Sequence, residues 1–249
     1  MSGNKLTELR TEISDFREMR ELGTSNNQLV GLPTSIQRLT KLEELDLSGN
    51  KLTELPTEIG DLRELRWLWV SNNQVVGLPT SVQKLTKLGQ LHLDGNKLTE
   101  LPAEISDLRE LMELSVRNNQ LVGLPTSLQR LTKLEKLNFS GNKLTELPAE
   151  ISDLRELREL WVRYNQLVGL PTSILQRLTK LEELDSSGNE LTELSSEISD
   201  LRELRELCVI RNPLTVDAVR RALKLRRKGV LVRGVVGKHC GYCSYLYCS

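Results

Sequence analysis

The chain has 249 residues, 4% of them aromatic, and its 34 basic and 34 acidic side chains give a formal net charge of zero. No run of 18 or more apolar residues occurs, so the sequence predicts no transmembrane anchor. The charge is uneven, because residues 216–238 carry eight cations against Asp217 alone, which leaves the rest of the chain acidic.

One 23-residue unit recurs along most of the chain, with units starting at residues 19, 42, 65, 88, 111, 134, 157, 181 and 204. A partial unit, 4–18, precedes them. Alternating apolar residues such as Leu68 and Val70 predict a short strand with one buried face in each unit. The next apolar residues recur at spacings of three and four, which indicates a helical or 3₁₀ return on the opposite side. The pattern therefore predicts a solenoid of stacked units.

The unit, L-x-x-L-x-L-x-x-N-x-L-x-x-L-P, resembles the leucine-rich-repeat family in its short Leu-Pro form, over roughly residues 4–214. The resemblance implies an α/β solenoid shaped as an arc or horseshoe. A parallel sheet would line its concave face, and 3₁₀ or short helices its convex face. The pattern stops at Pro213. We therefore assign residues 1–214 to the solenoid and 215–249 to a C-terminal cap.

Each unit places an asparagine where its strand turns inward, from Asn27 to Asn212. Its amide is expected to bond the backbone of its own turn and of the neighbouring turn. The units also alternate between an acidic and a basic convex segment, which sets opposite charges side by side, as in Glu64, Lys87 and Glu110. Exposed ion pairs stabilise little, so these columns are expected to fix register and to bind no ligand.

The repeat is irregular near its C-terminal end. Leu175 is an insertion, and Ser186, Ser195 and Ser196 replace residues of the usual pattern. Residues 175–196 are therefore predicted to be the least well-packed part of the solenoid.

A helix is predicted after the last unit, because apolar residues follow at helical spacing and can cover the open end of the core. That apolar stripe consists of Val216, Val219, Ala222, Leu223 and Leu225. A basic patch of the cap is assigned to Arg220, Arg221, Lys224 and Arg227. It is either a solvated surface or a contact for an anionic lipid, glycan or nucleic acid, and we assign no nucleic-acid partner.

The cysteines are confined to the C-terminal part of the chain, at Cys208, Cys240, Cys243 and Cys248. Three interpretations compete. A disulfide-stapled cap, within or between chains, is preferred. A zinc site that includes His239 lacks the usual paired spacing, and a redox Cys-x-x-Cys lacks its βαβ context.

Outward-pointing strand positions vary while the frame repeats, so they are the candidates for ligand binding. We assign the concave site to Trp67, Trp69, His92, Arg117, Trp161, Arg163 and Tyr164. Exposed aromatic and arginine side chains dominate recognition hot spots; the alternative is that the rings only shield their neighbours. Trp69 and Trp161 lie four units apart, roughly 20 Å.

The sequence predicts no enzyme. Its two histidines lie in unrelated contexts, and it has neither a phosphate-binding glycine loop nor a nucleophile beside a base. No catalytic residue, cofactor or metal site is assigned.

The chain is similar to short repeat-only proteins of invertebrate and early-chordate innate immunity. That similarity implies that a microbial surface glycan, a lipid such as lipopolysaccharide, or a protein binds the concave face. Agglutination would follow from self-association as a homodimer or larger oligomer. Secretion is favoured, with the leader absent from this chain. The alternative is a cytoplasmic scaffold similar to Ras-pathway and polarity adaptors.

Overall fold

In the computed structural model, which describes residues 2–235, ten short parallel strands form one sheet in chain order. Each strand pairs with the next one unit further along, so that Leu45 lies opposite Leu68 and Leu68 opposite Leu91. Cys240, Cys243 and Cys248, for which a disulfide was predicted, lie outside the described residues, as does His239. The strands are β1 (Glu21–Gly23), β2 (Glu44–Asp46), β3 (Trp67–Trp69), β4 (Gln90–His92), β5 (Glu113–Ser115), β6 (Lys136–Asn138), β7 (Glu159–Trp161), β8 (Glu183–Asp185), β9 (Glu206–Cys208) and β10 (Leu231–Arg233).

The opposite, convex face is a layer of short helices, one per unit. Most begin directly after a proline, which has no N–H to leave unpaired at a helix start. Eight of the helices are 3₁₀: Thr11–Asp15, Thr34–Arg38, Thr57–Asp61, Thr80–Lys84, Ala103–Asp107, Thr126–Arg130, Ala149–Asp153 and Ser196–Asp200. The ninth, α1 (Thr172–Arg177), is one residue longer and α-helical. The arc-type solenoid predicted from the sequence is confirmed.

The inserted residue explains the change of helix type. Leu175 makes room for a sixth helical residue, and its side chain is only 1% exposed beside buried Ile174. Ser186 is fully buried, and its hydroxyl donates a hydrogen bond to the carbonyl of Cys208. The convex layer therefore absorbs the insertion, and the predicted looser packing of residues 175–196 stays a prediction.

The asparagine ladder holds neighbouring turns together as predicted. The Asn73 amide nitrogen donates to the carbonyls of Leu47 and Val70, each at 3.0 Å. Its oxygen accepts the backbone N–H of Leu52 at 3.0 Å. One buried side chain thus satisfies three backbone groups from two units.

The convex charge columns are also confirmed. Lys87 lies 2.6 Å from Glu64, and Lys133 lies 2.6 Å from Glu110. The hydrogen bond from Lys87 lowers the pKa of Glu64. In these pairs the basic unit contacts the acidic unit before it, so the pairing follows the two-unit alternation of the sequence.

A second alternation, not predicted from the sequence, runs along the residue before each ladder asparagine. All of these residues adopt the left-handed conformation, with φ of 55° at Asn72 and 64° at Gly95. A Cβ on Gly95 would lie 2.6 Å from Asn72 Oδ1. A glycine in the next unit therefore leaves each asparagine side chain in place, whereas a larger residue would displace the asparagine oxygen. We call this set the left-handed column; its members are Asn26, Gly49, Asn72, Gly95, Asn118, Gly141, Tyr164, Gly188 and Arg211.

The C-terminal end is closed by helix α2 (Val216–Arg227) followed by β10. Thr215 Oγ1 caps the helix by accepting the N–H of Ala218, as expected of an N-cap threonine. The buried side of α2 consists of Ala218, Ala222 and Leu225. The predicted apolar stripe is thus wrong at Val216 and Leu223, which are 67% and 38% exposed.

Candidate ligand-binding face

The concave face of the sheet is built by simple alternation along each strand. In β3 the side chain of Leu68 is fully buried, while Trp67 and Trp69 on either side of it are half-buried. The same pattern recurs in most of the other strands, because successive side chains point to opposite faces of a sheet. The predicted residues Trp67, Trp69, His92 and Trp161 therefore lie on the outward side of the sheet.

Three of the predicted residues form one group near the N-terminal end, which we call the first aromatic cluster: Trp67, Trp69 and His92. The rings of Trp69 and His92 meet edge to face, with centroids 6.3 Å apart and planes at 78°. His92 Nε2 lies 3.1 Å from Glu113 Oε1 but makes no hydrogen bond. The contact is therefore an ion pair only when the imidazole is protonated. Glu113 was not predicted as part of the site.

Three other predicted residues form the second aromatic cluster, Trp161, Arg163 and Tyr164, on and after β7. The Arg163 guanidinium lies 5.8 Å from the centroid of the Tyr164 ring and 4.0 Å from the Asp185 carboxylate. Because β3 and β7 are four strands apart, the clusters are separated by about 19 Å. The face therefore carries two aromatic contacts, not one continuous patch.

Tyr164 is strained. It belongs to the left-handed column with φ of 53°, and it is 48% exposed. A bulky side chain in this conformation is rare and costs free energy. Its ring occupies the space above Gly188, where a Cβ would lie 2.5 Å from Tyr164 Cδ1. The sequence indicates this strain, because Tyr164 stands in a column that otherwise consists mostly of asparagines and glycines.

Arg117, the remaining predicted residue, joins neither cluster. It is exposed, and its backbone N–H donates to Asp94 Oδ1 at 2.7 Å. Ser115 donates to the same oxygen at 2.6 Å. Asp94 thus fixes the backbone between the clusters while the Arg117 side chain stays in solvent.

The face as a whole is acidic, a property the sequence analysis missed. The described outward positions include nine acidic residues: Glu21, Glu44, Asp46, Asp94, Glu113, Glu159, Glu183, Asp185 and Glu206. The basic ones are Arg117, Lys136, Arg163 and Arg233.

Three of the acidic residues are directly adjacent on neighbouring strands, Glu159, Glu183 and Glu206. Lys136 pairs with the first at 3.0 Å and Arg233 with the last at 2.8 Å. Burial, followed by the charges of Glu159 and Glu206, raises the pKa of Glu183. The middle carboxylate thus lies between two like charges.

A depression of about 410 Å³ lies beside the first aromatic cluster, against Trp67, Gly89 and Met112. Met112 is 47% exposed. The other residues that line the depression are Arg66, Lys87, Glu110 and Lys133. Other units carry Arg or Glu at the positions of Gly89 and Met112, so this break in the pattern was visible in the sequence.

The remaining predicted residues lie at the C-terminal end. Cys208 is buried on β9, and its sulfur accepts a hydrogen bond from Ser187 Oγ at 3.0 Å. Its proposed disulfide stays a prediction. In the basic patch, Arg221 donates to the carbonyl of Leu194 at 2.6 Å and pairs with Glu193, so it fastens α2 to the solenoid. Lys224 and Arg227 are exposed.

Among residues 2–235, no three His, Cys, Asp or Glu side chains are grouped so that they could hold a metal ion. In the same range no helix is both long and apolar enough to cross a bilayer.

Comparison with known families assigns the chain. The model of the leucine-rich repeat region matches residues 4–91, 57–139 and 114–224. The protein therefore belongs to the leucine-rich-repeat family, whose fold is typical of non-enzymatic protein-interaction modules. No curated protein matches the chain.

Solved structures agree with this assignment. The plant peptide hormone receptor RGFR1, in complex with RGF2, is 33% identical with a TM-score of 0.75, over 83% of this chain and 34% of the receptor. The Arabidopsis thaliana receptor kinase GASSHO1/SCHENGEN3, in complex with CASPARIAN STRIP INTEGRITY FACTOR 2, is 30% identical with a TM-score of 0.71, over 86% and 30%. The chain thus spans about a third of these receptors.

A bacterial structure shares the fold alone. The internalin InlF from Listeria monocytogenes is 21% identical with a TM-score of 0.59, over 93% of this chain and 78% of the internalin.

Proposed function

We propose that this protein is a non-enzymatic recognition protein whose concave face binds a protein ligand through its two aromatic clusters. The observation that carries the proposal is the placement of Trp67, Trp69 and Trp161 on the outward side of the sheet. The repeat frame does not require tryptophan there, since Glu, Gln and Asp occupy the same positions in other units. Large aromatic side chains with partly exposed faces are the usual anchors of protein interfaces.

The charge of the face supports a protein ligand over an anionic lipid. Nine acidic residues against four basic ones repel phosphate-bearing surfaces such as lipopolysaccharide. The resemblance to RGFR1, whose solved structure contains RGF2, supports the same choice. We therefore narrow the microbial ligand expected from the sequence to a protein on the microbial surface.

Agglutination is the second part of the proposal, and it requires at least two binding faces per particle. A disulfide between chains, one of the pairings predicted for Cys240, Cys243 and Cys248, would join two copies. The expected particle is a homodimer or larger oligomer. Light scattering of the non-reduced protein measures this, and a monomer would contradict agglutination while leaving ligand binding intact.

The test of ligand binding is a pull-down by the full-length protein from whole bacteria, purified lipopolysaccharide and host-cell lysate. Substitution of both Trp69 and Trp161 by alanine is expected to reduce capture at least about tenfold, because each anchor is worth about 2 kcal/mol. The control is Phe16→Ala, which removes an aromatic ring that is 56% exposed outside the face. Unchanged capture by the tryptophan variant would refute the proposal.

The same pull-down decides between an immune role and the role of an intracellular scaffold. A protein captured from bacteria supports the immune version. A host-cell protein whose capture depends on Trp69 and Trp161 supports the intracellular scaffold, the alternative implied by the family resemblance.

A further inference from the structure

The outer side of helix α2 is a surface that the solenoid does not use. Because 3.6 residues make one helical turn, the residues opposite buried Ala218, Ala222 and Leu225 point away from the protein. We call this set the cap surface; its members are Val216, Arg220, Leu223, Lys224 and Arg227. All five are exposed.

Two of the three cations of the cap surface, Lys224 and Arg227, lack the neutralisation found on the convex face. There, Lys87 and Lys133 each pair with a glutamate of the preceding unit. In the described part of the chain, no ion pair is formed by any of the four cations Lys224, Arg226, Arg227 and Lys228. Arg220 pairs with Asp217 at 2.9 Å, one turn earlier in the same helix.

Among the described residues, Lys224 and Arg227 on the cap surface, with Arg226 and Lys228 on its two flanks, are therefore cations without carboxylate partners. Such a patch attracts an anionic partner.

Apolar side chains lie among these cations. Val216 is 67% exposed and Leu223 is 38% exposed, seven residues apart on the same side of α2. Exposure of apolar side chains to water is unfavourable. The core does not require apolar residues at these two positions, because neither side chain is buried. Helices at a membrane surface combine lysine and arginine side chains with apolar side chains that enter the boundary between headgroups and acyl chains.

We propose that the cap surface docks the protein on an anionic phospholipid bilayer. Lys224 and Arg227 would contact the phosphates, while Val216 and Leu223 enter the boundary between headgroups and acyl chains. Nucleic acids and sulfated glycans offer the charge but no apolar layer, so they leave the two apolar residues unexplained. Docking at the C-terminal end leaves the concave face open, and this proposal is independent of the ligand bound there.

The experiment is flotation of the full-length protein with vesicles of phosphatidylcholine alone, or of phosphatidylcholine and phosphatidylglycerol in equal parts. The wild-type protein is expected to float only with the anionic vesicles. Lys224→Glu with Arg227→Glu should reduce that binding at least about tenfold. The matched control, Arg109→Glu with Arg155→Glu, makes the same change of charge at exposed convex positions and should reduce binding much less.

A second variant separates lipid from other polyanions. Val216→Ser with Leu223→Ser keeps the charge and should lose vesicle binding while its retention on a heparin column is unchanged. Circular dichroism checks that each variant is folded. The proposal is overturned if the wild-type protein does not bind anionic vesicles, if it binds both vesicle types equally, or if the serine variant floats like the wild type. That last result would indicate a general polyanion surface.

Discussion

The ladder asparagine satisfies buried backbone groups of two units with one side chain. In an apolar core, a buried backbone group without a partner costs free energy that water would otherwise recover. Asn73 supplies partners for Leu47, Val70 and Leu52 at once. No apolar replacement can do the same, which explains why the column is invariant along this chain while the outward positions vary.

Asn73→Ala is therefore expected to lower the free energy of unfolding by about 3 kcal/mol, since each unsatisfied buried group costs about 1–3 kcal/mol and water will reach some of them. Urea denaturation followed by circular dichroism measures the loss. Gln74→Ala, at the exposed adjacent position, is the control and should change stability by less than about 0.5 kcal/mol. Equal effects of the two substitutions would contradict the ladder's role.

Tyr164 is expected to trade stability for function. Its left-handed backbone costs roughly 1–3 kcal/mol for a bulky residue, more than the roughly 0.5–1 kcal/mol returned by the exposed contact with Arg163. Tyr164→Asn restores the residue type found at Asn72 and Asn118, and should raise stability by about 1 kcal/mol while weakening ligand capture. The reciprocal Asn118→Tyr should destabilise. A loss of stability in Tyr164→Asn would show that the ring is needed for packing.

At the scale of elements, strands β7 to β9 bring three glutamates into register. Like charges directly opposite one another on neighbouring strands are unfavourable, and the pKa of Glu183 is raised above its ordinary value of 4.5 by burial and by these neighbours. The folded state therefore holds the Glu183 proton more tightly than the unfolded state. Stability from this group is present below pH 4.5 and is lost as the pH rises through the higher folded-state value.

Glu183→Gln removes this penalty. The variant should be more stable than the wild type at neutral pH by less than about 1 kcal/mol, and the difference should vanish well below pH 4.5. Urea midpoints of both proteins at the two pH values give the comparison. A difference that persists at low pH would assign the effect to packing.

The limits of the sequence are visible in the same elements. Apolar periodicity predicted the strands, the convex helices and helix α2, because burial of one side follows directly from spacing. It failed at Val216 and Leu223, since a stripe of five apolar residues does not reveal which side meets the solenoid. The two aromatic clusters, the depression beside Gly89 and the row of Glu159, Glu183 and Glu206 depend on contacts between neighbouring units. Periodicity within one unit does not reveal such contacts.

At the scale of the whole molecule, two independent alternations make a pair of units the structural repeat. The left-handed column favours a glycine after each asparagine, as at Asn72 and Gly95. The convex columns need opposite charges in successive units, as at Glu64 and Lys87. Both requirements have a period of two units, so a shift of one unit violates them together. The alternation thus opposes slipped or shortened stacking.

Deletion of one unit or two tests this directly. Removing 88–110 would set Asn118 against Asn72 and Lys87 against Lys133. Removing 88–133 would instead restore Asn72 beside Gly141, with the charges still alternating. Stability of a repeat array normally increases with the number of units, so the longer protein should be the more stable one. We expect the reverse, by about 2 kcal/mol, because steric conflict and like-charge contacts act together. Urea unfolding of both deletions decides it, and a more stable one-unit deletion would show that the unit, not the pair, is the structural repeat.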